Sequence, residues 1–213
     1  MSDSSWYVVG LGNPGDQYEG TRHSVGRAVA AELADRLGAP LKRLKGTHAH
    51  VAEGRTVPGG PRLTAAVLDS FMNLSGGPTA ALLRHYHASP DRLIVVRDDL
   101  DLPFAAVRIR AGGGHGGHNG VRDIIGQVGG NGFVQVRCGI GRPSGRQDPA
   151  DFVLERFAAA ERPAVRDLVT EAADLIEIIA ADGVQAAQQE CHRRAAAGSA
   201  ADDAESGSGR GRQ

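Results

Sequence analysis

Cysteine is scarce: Cys138 and Cys191 are the two in 213 residues, and neither belongs to a paired motif. That excludes a disulfide scaffold and predicts reduced thiols, as in a cytoplasmic protein. Long apolar runs are missing as well. Nothing approaches the ~18 residues of a membrane span, and Met1-Ser-Asp-Ser-Ser5 lacks the charged start and apolar stretch of a secretory signal. A membrane protein and a secreted protein are therefore not expected. The chain also lacks charge of one sign, since 24 Lys and Arg stand against 25 Asp and Glu, a net of -1. A uniformly basic coat for nucleic acid is excluded, while a local basic face is not. What is present is enough apolar sequence for a core, 41% of residues with 23% charged. The length suits one domain of ~150 residues or two small ones.

The end of the chain differs in composition. From Ala195 to Gln213 it is Ala, Gly, Ser and scattered charge with no large apolar side chain. Such a stretch cannot offset its ordering entropy, so residues 195–213 are expected to be a disordered tail on a folded body of residues 1–194. Within the body, strand-like runs alternate with helix-like ones. Trp6–Gly12, His48–Glu53, Arg62–Leu68, Leu93–Arg97, Val107–Arg110 and Phe133–Cys138 read as strands. Ser24–Leu37, Asn73–His87 and Asn119–Val128 read as helices, as does the stripe of Val165, Leu168, Val169, Ala172, Leu175, Ile176 and Ile179. This mixture, with no change of composition before the tail and no repeats, predicts a single layered α/β domain.

Gly10-Leu-Gly12-Asn-Pro-Gly15 fits the dinucleotide fingerprint after a strand, but Pro14-Gly15 makes a turn where that fingerprint requires a helix. The nucleotide reading is weak. The loops at strand ends carry more. Asn13 lies in that glycine turn and His23 precedes the first helix; alone, one is a turn residue and the other a cap or packing histidine. Asn73, in Ser70-Phe-Met-Asn-Leu-Ser-Gly76, sits at a helix start, where it or Ser75 would suit an N-cap. Asp98, Asp99 and Asp101 close the Leu93 strand, where a carboxylate can orient a histidine that takes a proton from water. They would equally suit a solvated turn.

The densest signal is Gly112-Gly-Gly-His-Gly-Gly-His-Asn-Gly120, with six glycines in nine residues. Such a run costs entropy and fits a sharp turn or a close approach to ligand better than a linker, which would not order two histidines and an asparagine. His115 and His118 could ligate a metal, joined by His48/His50 or His85/His87. Thiolate partners are absent and the additional ligands would be distant, so no metal is expected. From Arg108 to Gln147 there are six arginines and one acid, an excess of five positive charges on a body with no net charge. Arginine without lysine suits forked contacts to phosphate oxygens, and the alternative is a solvated charged face.

In order, residues 10–15, Thr21-Arg-His23, Phe71-Met-Asn-Leu-Ser-Gly76, Asp98-Asp-Leu-Asp-Leu-Pro103, residues 112–120 and Arg137-Cys-Gly-Ile-Gly-Arg-Pro143 resemble the bacterial peptidyl-tRNA hydrolases, from Val8 to about Gly183. The resemblance implies a monomeric, single-domain α/β/α sandwich around a mixed, twisted sheet. It implies hydrolysis of the ester between a peptide and the terminal ribose of tRNA, without metal or other cofactor, recycling peptidyl-tRNA from stalled ribosomes. By the same resemblance His23 is the base and Asp98 its orienting acid. Asn13, Asn73 and Asn119 hold water and the peptide's polar groups, and Tyr18, Met72 and His118 shape the pocket. Arg110 and Arg137 clamp tRNA phosphate. The chain departs from the family pattern at Ser24, where Asn is usual, though Ser is nearly its equal as an N-cap. It also departs at Ala105, in place of a common glycine, and at Asp69-Ser70. A non-catalytic RNA-binding protein on the same fold, or a metal hydrolase, are the rival readings; the first should have lost the base or its partner.

Overall fold

The computed structural model describes residues 5–143 and 145–208, with side chains up to residue 198. Its centre is a seven-stranded mixed sheet: β1 (Trp6–Gly10), β2 (Lys42–Leu44), β3 (Ala49–Arg55), β4 (Arg62–Leu68), β5 (Leu93–Asp99), β6 (Val107–Ala111) and β7 (Val134–Gly139). The order is β2-β3-β4-β1-β5-β7-β6. Strands β4, β1, β5 and β7 run parallel, and β2, β3 and β6 pair antiparallel at the two sides. The parallel centre has both faces covered, which is why β1 and β5 are buried along their whole length and why β1 and the Leu93–Val96 part of β5 read as apolar runs.

Strand alternation sends neighbouring residues into two cores. Val8, Ile94, Val96, Val134 and Val136 pack under α1 (Val25–Arg36), α5 (Arg162–Asp182) and α6 (Val184–Ser208). Tyr7, Val9, Leu93, Val95 and Phe133 pack under α2 (Gly76–His85) and α3 (Asn119–Val128). The expected helix–sheet–helix sandwich is therefore what the chain forms. On α5 the buried residues Leu168, Ala172, Leu175, Ile176 and Ile179 fall on one helical stripe, as expected from their spacing. No helix among the described residues is long and apolar enough to cross a membrane.

The glycine-rich start serves packing. A Cβ on Gly10 would lie 2.1 Å from the Gly26 carbonyl, so α1 crosses β1 at backbone contact. Gly15 sits in a turn before the 3-10 turn Asp16–Tyr18, and no helix receives a pyrophosphate there.

Four features differ from the sequence reading. The short β2 and the helix α4 (Pro149–Leu154) were not expected. Ser24 makes no side-chain cap on α1; its Oγ lies 3.1 Å from Thr21 Oγ1 instead, because the residue closes a 3-10 turn before the helix. The backbone of α6 continues to Ser208, past Ala195, where order was expected to end. Alanine is the strongest helix former, so a segment without large apolar side chains can still extend a helix that is anchored upstream. Residues 209–213 of that tail lie outside the described residues.

Candidate active site

From β1 the chain crosses to the edge strand β2 and works inward through β3 to β4 beside β1, then passes to the other side of β1 to form β5. Loops at the carboxyl ends of adjacent strands diverge there and leave a crevice. Three side chains meet in it. His23 stands in the 3-10 turn Arg22–Ser24 just ahead of α1, Asp98 is the penultimate residue of β5, and His118 caps the N-terminus of α3. His23 Nδ1 is 2.8 Å from Asp98 Oδ1, and His118 Nε2 is 3.0 Å from the same oxygen.

Hydrogen bonding fixes the proton positions. The Val121 amide donates to His118 Nδ1 at 3.4 Å, so the His118 proton sits on Nε2 and is given to Asp98. His118 is buried, and burial lowers its pKa against the opposing pull of Asp98, which keeps it a neutral donor. Burial alone would raise the Asp98 carboxyl, but the imidazoles of His23 and His118 overcome this and hold it well below the usual carboxylate range. Asp98 is thus an acceptor. His23 gives it the Nδ1 proton and keeps Nε2 as a lone pair on a side chain that is 14% exposed.

A cleft of about 590 Å³ opens over this group. Asn13, Met72, Asn73, His118 and Asn119 line it together with His23 and Asp98, so seven of the ten site residues expected from sequence converge. Asn13 Oδ1 accepts from the Met72 amide at 2.8 Å, which fixes the turn Met72–Leu74 against the end of β1 and orients the remaining amide protons of Asn13. Tyr18 does not line this cleft; its ring meets Phe71, on the rim, edge to face at 6.3 Å between centroids. Arg110 and Arg137 stand beside it on β6 and β7. Arg110 lies against the glycine loop, where a Cβ on Gly113 would be 2.3 Å from its Nε. Arg137 Nε bonds Asp99 Oδ2 at 2.6 Å.

Arg97, Val153 and Leu154 were not legible as site residues, whereas Asp99 was one of the three carboxylates read at the end of the Leu93 strand. Arg97 and Asp99 line the cleft, and Asp99 Oδ2 is shared between Arg137 and Arg97, the latter 2.9 Å away. Consecutive strand residues face opposite sides, so Asp98 takes two imidazoles and Asp99 two guanidinium groups. Val153 and Leu154 of α4 supply the far wall. Its position is fixed by Arg22, whose guanidinium is stacked on Phe152 at 4.3 Å and paired with Glu161 at 2.8 Å. The signal for Arg97 was present only as a charge inside an apolar strand.

Among the described residues, His23, Asp98 and His118 are the one cluster of three groups able to hold a metal, with ligand atoms within 4.8 Å of one another. Its donor chemistry fits proton transfer better than coordination. Both imidazole nitrogens that face Asp98 carry protons, and an ion would have to displace them and the Val121 arrangement with them. His50 pairs with Asp69 at 3.1 Å and stands outside the cluster, and His85 packs on Tyr86.

Residues 7–199 match the family model described as peptidyl-tRNA hydrolase. A peptidyl-tRNA hydrolase of Leifsonia xyli subsp. xyli is 55% identical over 190 residues, covering 89% of this chain and 98% of the relative. One from Kineococcus radiotolerans is 50% identical over 197 residues, covering 90% and 98%. The crystal structure of peptidyl-tRNA hydrolase from Acinetobacter baumannii superposes with a TM-score of 0.80 at 30% identity, covering 90% of this chain and 96% of that one. With fold, ordered motifs and relatives in agreement, this chain belongs to the peptidyl-tRNA hydrolase family.

Proposed function

We propose that the cleft hydrolyses the ester joining a peptide to the terminal ribose of tRNA by metal-independent general-base catalysis. The observation that carries this is the commitment of His23 Nδ1 to Asp98, which leaves Nε2 as the accessible base. A water molecule gives a proton to His23 Nε2 as its oxygen bonds to the ester carbonyl carbon. Asp98 stabilises the imidazolium that results. The ribose oxygen then leaves and takes the proton back, releasing tRNA with a free hydroxyl and a peptide with a new carboxylate. Asn13, whose amide oxygen is already occupied, has N–H groups for the developing oxyanion. Asn73, Asn119, Met72 and His118 hold the peptide end, and Tyr18 backs Phe71 on the rim. Arg110 and Arg137 take tRNA phosphate. The protein acts as a monomer in the cytoplasm, recycling peptidyl-tRNA dropped by stalled ribosomes.

The test is an assay of purified protein on N-blocked aminoacyl-tRNA and on free aminoacyl-tRNA, with and without chelator. Cleavage of the blocked ester, insensitive to chelator, is expected. His23→Ala should depress kcat by about 10²–10⁴, the usual worth of general-base assistance, with tRNA binding nearly intact. Near wild-type turnover in that variant would mean another group activates water. A protein that bound tRNA but left the ester whole would favour the RNA-binding reading.

A further inference from the structure

We propose that Gln135 is a positioning residue for the reaction: by bonding the glycine-rich loop and Arg97 at once, its amide sets where His118 meets Asp98. As a role in catalysis this rests on the hydrolase reading above.

Gln135 lies inside β7 and is 1% exposed. Its neighbours Val134 and Val136 point into the core under α1, α5 and α6. Gln135 shares the opposite sheet face with Phe133 and with Val95, its partner in register on β5. An apolar side chain would suit that place, because a buried amide is costly unless it is hydrogen-bonded. Both ends of this amide are bonded. Oε1 accepts from Arg97 Nε at 3.1 Å. Nε2 lies 3.3 Å from the Gly112 carbonyl oxygen, 3.5 Å from that of Gly113 and 3.3 Å from that of Gly114. Two protons are thus spread over three successive carbonyls, and the amide holds a stretch of backbone in place.

The loop has little of its own to fix its course. From Gly112 to Gly117 the one side chain is that of His115. Gly112 and Gly113 have φ of 66° and 93°, and ordering glycine costs more backbone entropy than ordering any other residue. The Gly112 amide bonds the Phe133 carbonyl at 2.9 Å, continuing the pairing of β6 with β7. Beyond that rung Gln135 ties the first half of the loop to the sheet. The second half is tied to itself: the His118 amide donates to the His115 carbonyl at 2.9 Å, and the Gly117 amide to His115 Nδ1 at 3.0 Å.

Both partners of Gln135 lead to Asp98. The loop runs into His118, which gives its Nε2 proton to Asp98 Oδ1 at 3.0 Å, and then into Asn119 on the cleft wall. Arg97 Nη1 donates to the Asp98 carbonyl at 2.9 Å. One amide therefore spans the segment that carries His118 and the strand that carries Asp98. The bond from the Val121 amide to His118 Nδ1 is long, at 3.4 Å, so the aim of the ring depends on the loop as well. With both imidazoles neutral, Arg97 and Arg137 balance Asp98 and Asp99, and what Gln135 adds is position rather than charge. A displacement of about 1 Å in such an arrangement costs up to about 10²-fold in rate.

The test compares the wild type with two variants. Gln135→Met is close in length but has neither donor nor acceptor; Gln135→Glu keeps an acceptor for Arg97 and loses the donor. In protein with isotope-labelled histidine, nuclear magnetic resonance of the wild type should show His118 protonated at Nε2, with that proton slow to exchange. In both variants the proton should exchange faster and kcat on peptidyl-tRNA should fall, each by on the order of tenfold, the worth of a hydrogen bond or two spent on alignment. In a His118→Ala background, Gln135→Met should cost kcat little more, because the contact it serves is already gone. A wild-type His118 proton in either variant overturns the proposal, even where the denaturation midpoint falls. Equal kcat losses from Gln135→Met with and without His118 overturn it too. If Gln135→Met does not fold, Gln135→Asn decides: its amide is one methylene too short to reach the loop and Arg97 together, so unchanged exchange and kcat there overturn the proposal. The imidazole spectrum needs no substrate. Absence of peptidyl-tRNA cleavage by the wild type would therefore remove the hydrolase reading, whereas an unchanged spectrum in the variants would remove the role of Gln135 alone.

Discussion

A single methyl group separates Ala105 from the residue its backbone suits. Ala105 has φ of +63°, and its amide donates to the Gly139 carbonyl at 3.0 Å, so the turn after Pro103 is tied to the end of β7. A left-handed conformation costs an L-residue roughly 1–2 kcal/mol, and glycine's larger unfolded-state entropy returns about 0.4–1 kcal/mol of that. Ala105→Gly should therefore stabilise by about 0.5–1 kcal/mol, read as a rise in denaturation midpoint with unchanged slope; a fall would mean that the methyl packs better than the backbone relaxes. The departure from family pattern was visible in the sequence, but its cost is visible only in the dihedral angle. The Asp98 carboxyl supports a second prediction. Its pKa is held well below the usual range, so it stays ionised throughout the acid limb of the rate profile. As pH falls, kcat/KM should be lost with the uptake of one proton. Asp98→Asn, which keeps the shape but removes the charge opposite His23 Nδ1, should lower kcat by less than His23→Ala. A second-order acid limb in the wild type would show that the carboxylate titrates too.

At the scale of elements, periodicity was a good guide wherever one face of a segment is buried. Helix α3 begins and ends where its pattern does, because Val121 and Ile124 answer to one sheet face, whereas β4 was legible as a short apolar run that sends Leu63 and Ala65 into one core and Ala66 and Leu68 into the other. β2 was illegible because Lys42-Arg-Leu44 is a three-residue edge strand whose pairing is supplied by β3. α4 was illegible because six residues are too few to show a helical period, and Arg22 rather than its own pattern holds it in place. The end of α6 was not legible for a different reason: docking and helicity are separate quantities. Its docked part ends near Arg194. Ala187 and Cys191 are buried, Gln188 and Cys191 bond the carbonyls of Ile109 and Val107, and Arg194 reaches Asp174 at 3.0 Å. Beyond it the sequence has no large apolar side chain. We therefore propose that residues 195–213 are dispensable. A chain ending at Arg194 should keep its midpoint and turnover, with loss confined to far-ultraviolet helical signal. A large drop in midpoint or turnover would mean that the distal helix contributes to the fold.

Across the whole molecule, near-zero net charge conceals a local field. The sequence showed where positive charge accumulates, from Arg108 to Gln147, but not which arginines are free to act at a distance, since that depends on partners brought together by strand register. Arg142 pairs with Asp101, and Arg137 with Asp99. Arg110 sits on the edge strand against the glycine loop, and no acid pairs with it among the described residues. The two arginines expected to hold phosphate therefore stand in different electrostatic situations. Replacing Arg110 with alanine removes one cation. Replacing Arg137 removes a cation and also leaves the Asp99 carboxylate, whose Oδ2 the two arginines share, with Arg97 as its one remaining guanidinium. Both variants should raise KM for full-length tRNA substrates with kcat spared, and each should flatten the slope of log K against log salt by roughly one unit. Arg137→Ala should weaken binding more than Arg110→Ala, because it adds repulsion to a lost contact. Combining Arg137→Ala with Asp99→Asn should recover the difference, since the carboxylate is then neutral. Equal effects of the two single variants would mean that Asp99 stays screened by Arg97. An unchanged salt slope in both would make the basic run a solvated face that takes no part in binding tRNA.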